Sequence, residues 1–482
     1  MKIFFVYILI LLFFKSGFSQ PIPADSLYLG QLPPGNVPKR FVLPVSQQSF
    51  TAERITMSND GKEVYYTVIR RYYPTAGDTI KCFKYTGNKW VGPFNTFENY
   101  LAPVLSINGD TIYFQNNNVP YETLFSVKNG SDWSTPRRFL IGLNSAHYIQ
   151  ITNSGNHYIS SISTPTLGAS DWCRLYMTST DTTVISLGLP ICNNTDNLDF
   201  FVSRDETFMI LAKGGLVVSY HKNNGGWTNP KMLDSTINFG LAMWGPYVTT
   251  DNKYLFYTSG TNPNYSDTYI YWVRIDGILD SLKHTNFIPY LKNRIPNQTD
   301  TASKYFSYTF PDSTFIDDDG NNTLTYSSTL SDGTSLPSWL SFDSTSRTFS
   351  GIPPEPASFN VKIIAKDNAN AIVNSAFNLN IVNHTFIQKT ESGIIEEYKL
   401  FQNFPNPFNP VTNIKFSIPK LGYVSLKVYN VLGREEEELF NGSLNAGIYS
   451  IDFNSKNNPS GIYYYVLRTK SYLETKKMVL VK

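Results

Sequence analysis

Met57-Ser58-Asn59-Asp60-Gly61, running into Val64-Tyr65-Tyr66, is the stretch on which the fold turns. A short apolar run, an Asx-Gly turn and an alternating aromatic run follow one another, which is the pattern of a β-hairpin. The wording returns as Leu105-Ser106-Ile107-Asn108-Gly109 before Ile112-Tyr113-Phe114, and as Ile151-Thr152-Asn153-Ser154-Gly155 before Tyr158-Ile159. Two further copies read Val202-Ser203-Arg204-Asp205-Glu206 before Phe208-Met209-Ile210, and Thr249-Thr250-Asp251-Asn252 before Tyr254-Leu255-Phe256. Corresponding positions recur roughly every 46 to 51 residues, and a period near 45 is that of one propeller blade.

Between copies lie further strand signals, often a Trp near a Pro: Trp90 with Pro93, Trp133 with Pro136, Trp227 with Pro230. Four strands per repeat is the natural count. One such sheet cannot bury both faces alone, whereas a ring of sheets buries every face but the outermost. Asp60, Asn108, Asp205 and Asp251 read as turn residues bonding their own backbone rather than as catalytic groups. The tryptophans read as packing between blades before they read as a platform for sugars. The copies resemble the WD40-like repeat of TolB-type propellers, whose core runs Ser-Pro-Asp-Gly into an aromatic strand. This chain lacks the Pro throughout and the Gly in two copies. Tyr28-Leu29-Gly30-Gln31 before Pro33-Pro34-Gly35 resembles the lead-in of such proteins, and residues 20–49 add either a closing strand or a degenerate sixth blade.

The chain opens with Lys2, an apolar run over residues 3–14 and the small-residue stretch Ser16-Gly17-Phe18-Ser19. A run of about 12 residues fits the core of a secretory signal and falls short of the ~20 a membrane span needs. Residues 1–19 are therefore expected to be a signal peptide, leaving Gln20 first, and no later segment is apolar enough to span a bilayer. With 482 residues, 41% of them hydrophobic, about three domains are expected. The aromatic share of 15% favours strands. A net charge of +2 with 16% charged residues offers no basic stripe for nucleic acid. Cys82, Cys173 and Cys192 are an odd set for an oxidising compartment, and Cys173 and Cys192 are near enough in sequence to pair. Neither they nor the five scattered histidines give the spacings of a zinc site.

Composition shifts near Asn293 to a Ser-, Thr- and Asp-rich segment with alternating strands. It holds Phe315-Ile316-Asp317-Asp318-Asp319-Gly320, Leu336-Pro337-Ser338-Trp339-Leu340-Ser341-Phe342 and Phe349-Ser350-Gly351-Ile352-Pro353. Short strands so spaced, with Trp339 to fill the core, predict a sandwich over residues 292–384. These strings resemble the dystroglycan-type cadherin-like domain of bacterial surface proteins, and that resemblance implies calcium. The chemistry agrees in kind: calcium takes six to eight oxygens, and Asp317, Asp318 and Asp319 supply several in one turn, with Asp367 on a later strand end. Three aspartates before a glycine also make an ordinary exposed turn.

After a linker over residues 385–398, the segment 399–482 carries the most specific signal. Leu400-Phe401-Gln402-Asn403-Phe404-Pro405-Asn406-Pro407-Phe408-Asn409-Pro410 opens it, with Val428-Tyr429-Asn430-Val431-Leu432-Gly433, Ala446-Gly447-Ile448-Tyr449 and Ser460-Gly461-Ile462-Tyr463 following. The prolines fix φ and cannot donate to a ladder, so the opening is a stiff lead into a sandwich of about seven strands, with Gly433, Gly447 and Gly461 at turns. Block by block this resembles the type A sorting domain of the type IX secretion system of Bacteroidetes-like bacteria. The resemblance implies recognition by the outer-membrane translocon, removal of the domain, and release or linkage to surface lipopolysaccharide.

The fold expected is thus all-β: a five- or six-bladed propeller over residues 20–291, then two Ig-like or cadherin-like sandwiches. No G-x-S-x-G elbow, H-E-x-x-H helix, phosphate loop or dinucleotide fingerprint appears. Two functions follow. One is an exported cell-surface binding protein whose propeller meets a glycan, a peptide or an envelope protein. The other is a hydrolase, of polysaccharide by preference, with carboxylates in the propeller's funnel. The first is preferred because no catalytic motif is found, although propellers host both classes.

Overall fold

The computed structural model describes residues 21–482 apart from 71–76, 117–121, 141–145, 163–169, 179–180, 193–198, 224, 263–266, 383–386, 392–394 and 457. The expected signal peptide, residues 1–19, lies outside the described residues. The regular structure of the described chain is nearly all strand, and the chain divides into two compact units. The first holds the chain through Arg294 together with Asp312–Thr325 and Ala365–Val373; the second holds Ile295–Pro311, Tyr326–Ile364 and Asn374–Lys482.

In the first unit each repeat makes one antiparallel sheet. The first strands of the five sheets are Phe50–Met57, Tyr100–Leu105, Ala146–Ile151, Phe200–Val202 and Ala242–Val248. Each packs against the first strand of the next sheet, and Ala242–Val248 packs back on Phe50–Met57. Lys39–Arg40 pairs with Tyr269–Arg274 as the outer strand of the fifth sheet, so residues 21–49 complete a sheet rather than build their own. Apolar faces meet between sheets: Tyr65, Ile80 and Phe97 lie against Ile112 and Phe114. Farther round, Trp172 and Ile191 lie against Phe200 and Met209. A short helix, Asp276–Lys283, follows the fifth sheet and buries Leu279.

The hairpin turns form as the sequence dictates. Ser58 Oγ donates to Asp60 Oδ1 at 2.7 Å and accepts from the Glu63 N–H at 2.9 Å. Ser106 does the same with Asn108 and the Thr111 N–H, and Thr249 with Asp251 and the Tyr254 N–H. Each hydroxyl closes its turn from within, which is why the Ser/Thr-x-Asx wording repeats.

Four of the inner strands carry a register shift near the middle, between Ala52 and Ile55, Leu101 and Val104, His147 and Gln150, and Trp244 and Tyr247. Glu53, Ala102, Tyr148 and Gly245 take positive φ there, as bulges do. Gly245 is required at its bulge, because a Cβ would sit 2.6 Å from the Glu53 carbonyl oxygen.

The second unit contains two sandwiches. Gln298–Thr301, Ile372–Val382, Ala357–Lys366 and Thr325–Leu330 form one sheet, and Phe306–Thr309, Thr348–Gly351 and Leu340–Asp343 the facing one. Their core is Phe306, Leu340, Phe349, Val361, Ile363 and Phe377. Trp339, expected in that core, is only half-buried; it packs on Phe359, and its carbonyl lies so close to Gly351 that no side chain fits there. In the last sandwich the sheet orders are Ile387–Glu391, Gly447–Asn454, Val411–Ile418, Lys399–Leu400 and Glu435–Leu444, Gly422–Asn430, Gly461–Thr469, Leu473–Leu480. Residues 387–391, expected as linker, instead pair with Gly447–Asn454 as an edge strand. Phe416, Leu426, Ile451 and Tyr465 fill its core.

The pairing that the spacing of Cys173 and Cys192 allows does not occur; all three cysteines are buried and outside any disulfide. Cys173 packs with Ile149 and Ile159, whereas Cys192 packs with Trp172 and Phe200 in a different apolar cluster.

Candidate functional site

Three places in the chain gather chemistry. The first is a groove between the first two sheets. A cavity of about 680 Å³ is lined by Tyr65, Lys84, Phe94, Phe97, Trp133 and Thr135. A second, of about 620 Å³, continues it past Lys84 to Asn59, Asp60, Glu63, Asn108 and Lys128. Lys128 Nζ meets the Glu63 carboxylate at 2.9 Å and lies 5.5 Å over the Trp133 ring, while Lys84 Nζ donates to the Ser131 carbonyl at 3.2 Å. Trp133 is thereby held edge-on to Tyr65 and half-buried, and Phe94, 48% exposed, is the open apolar surface of the groove. Burial pushes the Cys82 thiol on its wall up to about 12, so the thiol stays protonated.

The second place is the layer of bulges on the inner strands. Arg54 is fully buried, donates from Nη2 to the Phe200 carbonyl and lies 5.1 Å over the Tyr148 ring. Tyr148 Oη donates to Glu53 Oε2 at 2.8 Å, and Thr258 Oγ1 donates to the Glu53 carbonyl at 2.6 Å. Burial raises the Asp199 carboxyl, and Glu53 adds to this, against the pull of Arg54. Sequence reasoning missed this cluster. Its one sequence signal is the charged Glu53-Arg54 pair inside a strand with no other charge.

The aspartates expected to hold calcium form the third. Asp318 is tied down by Lys222 Nζ at 3.1 Å and by the Asn229 N–H. Asp319 accepts from the Phe287 N–H at 2.6 Å, and Asp367 from Asn286 Nδ2 at 2.9 Å and the Ala371 N–H at 2.8 Å. Asp317 accepts from Thr323 Oγ1 and the Asp319 N–H. Burial holds Asp317 above the ordinary carboxylate range, with Asp319 and Asp367 adding repulsion. Among the described residues no three His, Cys, Asp or Glu side chains are placed to hold a metal ion.

The sorting motif is mostly structural in its contacts. Buried Asn403 donates from Nδ2 to the Pro405 carbonyl and Thr412 Oγ1, and its N–H donates to Tyr465 Oη at 2.8 Å. Asn406 Oδ1 accepts from the Val479 N–H, and the Phe408 N–H donates to the Val479 carbonyl, both at 2.9 Å. The segment through Pro407, Asn409 and Pro410 is thus strapped along the strand Leu473–Leu480, with the Pro410 carbonyl taking the Ser455 N–H and Oγ. Register places Asn403 to Pro410, Gly433 and Gly461 at one end of the sandwich, while Gly447 pairs with Ile418 at the other.

Fold and site together define an all-β chain of repeats ending in an export module. Residues 402–482 match the family Por_Secre_tail, described as Secretion system C-terminal sorting domain, and residues 289–382 match He_PIG, described as Putative Ig domain. The sorting domain makes this an exported protein, handled by the type IX secretion system and found at the cell surface or outside the cell. None of the curated proteins matches the chain. Among solved structures it is similar to TolB from Acinetobacter baumannii, at 13% identity over 45% of this chain and 53% of that one, TM-score 0.31. It is likewise similar to the extracellular domain of a protein described as the hybrid two component system BT3049 from B. thetaiotaomicron, at 11% identity over 71% and 46%, TM-score 0.31. The chain therefore spans about half the length of either. Among the described residues no helix is long and apolar enough to cross a membrane.

Proposed function

We propose that this is an exported surface recognition protein whose first unit is a five-bladed β-propeller, with the groove between its first two blades as the binding site. The observation that carries the reading is the groove: exposed Phe94 stands with Tyr65 and Trp133 in a cleft that runs on to the amide, carboxylate and ammonium groups of Asn59, Glu63 and Lys128. An apolar platform with a polar rim takes a sugar ring or an aromatic side chain by stacking and orients it by hydrogen bonds. The cyclic packing of five inner strands supports the blade count.

Hydrolysis is the weaker reading, because the two acids nearest the ring's inner strands, Glu53 and Asp199, are tied to Tyr148 and Arg54, and Glu53 is only 5% exposed. The reading also gives no metal to Asp317, Asp318, Asp319 and Asp367, since each already faces a protein donor. The test is binding of the full chain to mixed glycan and peptide arrays, with calcium and with EDTA. A hit that Phe94→Ala abolishes, in either buffer, is expected. A hit indifferent to Phe94→Ala would move the site elsewhere, and one lost only in EDTA, with a lowered melting temperature, would return the aspartates to calcium.

A further inference from the structure

We infer that the ligand of the groove is an acidic polysaccharide, with a uronate ring stacked on Phe94 and a carboxylate held by Lys84. This rests on the reading of the groove between the first two sheets as the binding site, and narrows it to one class of ligand.

Strand register builds the floor. Tyr65 pairs with Cys82 and Cys82 with Phe94, so the three share one face across adjacent strands, and Glu63 pairs with Lys84 two residues along. Glu63–Ile69 and Thr79–Thr86 are paired on both sides, so the backbone under the groove is spent within the sheet and a ligand there meets side chains. The outer strand of that sheet, Lys89–Glu98, carries Pro93 and pairs with two register shifts, which spoil its free edge for a further strand. A peptide held by its backbone needs such an edge, whereas a sugar ring needs an aromatic face and side-chain hydrogen bonds. Phe94, with Trp133 from the second sheet, supplies the aromatic surface.

Charge then selects among sugars. Lys128 Nζ lies 2.9 Å from both oxygens of Glu63, and Tyr65 Oη donates to the same carboxylate at 3.1 Å. Asp60 is turned into its own hairpin, accepting from Ser58 Oγ at 2.7 Å and from the Lys62 N–H at 3.1 Å, and Asp132 stands exposed at the rim. Lys84 differs from these groups. It lines both cavities, its Nζ donates to the Ser131 carbonyl, and among the described residues no carboxylate is paired with it. Its remaining N–H groups and its charge are left for a ligand. One strand across and two residues along separate Lys84 from Phe94, about 8 Å at the backbone. A pyranose stacked on Phe94 therefore brings its own carboxylate, or that of the next ring, within reach of the ammonium.

The test titrates the full chain by calorimetry with oligomers of galacturonic, glucuronic and mannuronic acid, with their methyl esters, and with a peptide of alternating phenylalanine and glutamate. At least one oligouronate is expected to bind, and its ester about tenfold more weakly, as loss of a charge-assisted hydrogen bond predicts. Lys84→Gln, which keeps a donor for the Ser131 carbonyl and removes the charge, is expected to weaken the acid about tenfold and to leave the ester and the melting temperature unchanged. Lys84→Arg is expected to bind the acid as the parent chain does, and Phe94→Ala to bind neither form. An ester held as tightly as its acid, and lost in Phe94→Ala, would overturn the charge selection and keep the groove. Binding of the peptide alone, lost in both variants, would replace the polysaccharide by a protein partner in the same groove. An oligouronate bound equally well by Phe94→Ala and Lys84→Gln would take the site out of the groove altogether. Binding of no oligouronate would overturn the acidic ligand, and a Phe94-dependent hit on the glycan array would then show that the groove reading survives it.

Discussion

The five-sheet unit and the sorting sandwich bury sheet faces by opposite means. In the first unit the sheets pack on one another through their first strands, and the bulges there hold Glu53, Arg54 and Tyr148, with Asp199 beside them. The sandwich stacks two sheets face to face on Phe416, Val424, Leu426, Ile451, Tyr465 and their neighbours. It keeps its buried amide, Asn403, in the strap at one end. Packing sheets together at their first strands thus leaves backbone carbonyls and bulges that need charged and hydroxyl partners, whereas a sandwich can keep its centre dry.

If that contrast is right, the most damaging single change in the first unit is electrostatic. Arg54→Ala removes the cation that offsets Glu53 and Asp199 while leaving both acids buried, and breaking a buried charge set in this way costs about 3–5 kcal/mol. Thermal unfolding followed by calorimetry should show the first unit's transition falling and the sandwich transition unmoved. A first-unit transition that stays in place would mean that water, not Arg54, satisfies the acids.

The matching change in the sandwich is smaller and uncharged. Tyr465 Oη accepts from the Asn403 N–H and donates to the Phe401 carbonyl, each at 2.8 Å, and so ties the strap to the core. Tyr465→Phe keeps the packing and strands two backbone groups, for a cost of about 1–3 kcal/mol. The second transition alone should move. Retention of protease resistance at residues 401–410 in that variant would show that the prolines hold the strap without the tyrosine.

What the sequence made legible divides along the same line. The repeat could be read because its turns are closed by residues two to five positions apart, such as Ser58 with Asp60 and Glu63. The sorting blocks could be read because prolines and glycines fix local backbone. The partners of Asp318 could not: Lys222 and Asn229 lie some 90 residues before it, so nothing near Asp318 in the sequence marks its ion pair. Cys173 and Cys192, near in sequence, face different apolar clusters, and nothing local marks that either. Strand Ile387–Glu391 was hidden because Ile-Gln-Lys-Thr-Glu carries little alternation, its place being set by the edge of Gly447–Asn454.

The finest test of the contrast is pH. Asp199 is an acid whose folded pKa is raised, first by burial and then by Glu53, with Arg54, Tyr148 and the Gly245 N–H opposing. Between the ordinary carboxylate value of about 4 and the raised folded value, the folded chain keeps a proton that the unfolded chain has released. Stability from this group is therefore greatest at low pH and is lost as pH rises through that window. Glu474 in the sandwich runs the other way: despite some burial, hydrogen bonds from Tyr472 and the Leu400 N–H and the nearby Lys476 hold it low, so its contribution is lost on acidification. Measured against Asp199→Asn, the wild-type first transition should fall from pH 4 to neutrality, and measured against Glu474→Gln the wild-type second transition should rise. An Asn variant that keeps the wild-type slope of the first transition would place the titrating group outside the bulge layer and undo the claim that Asp199 titrates within it.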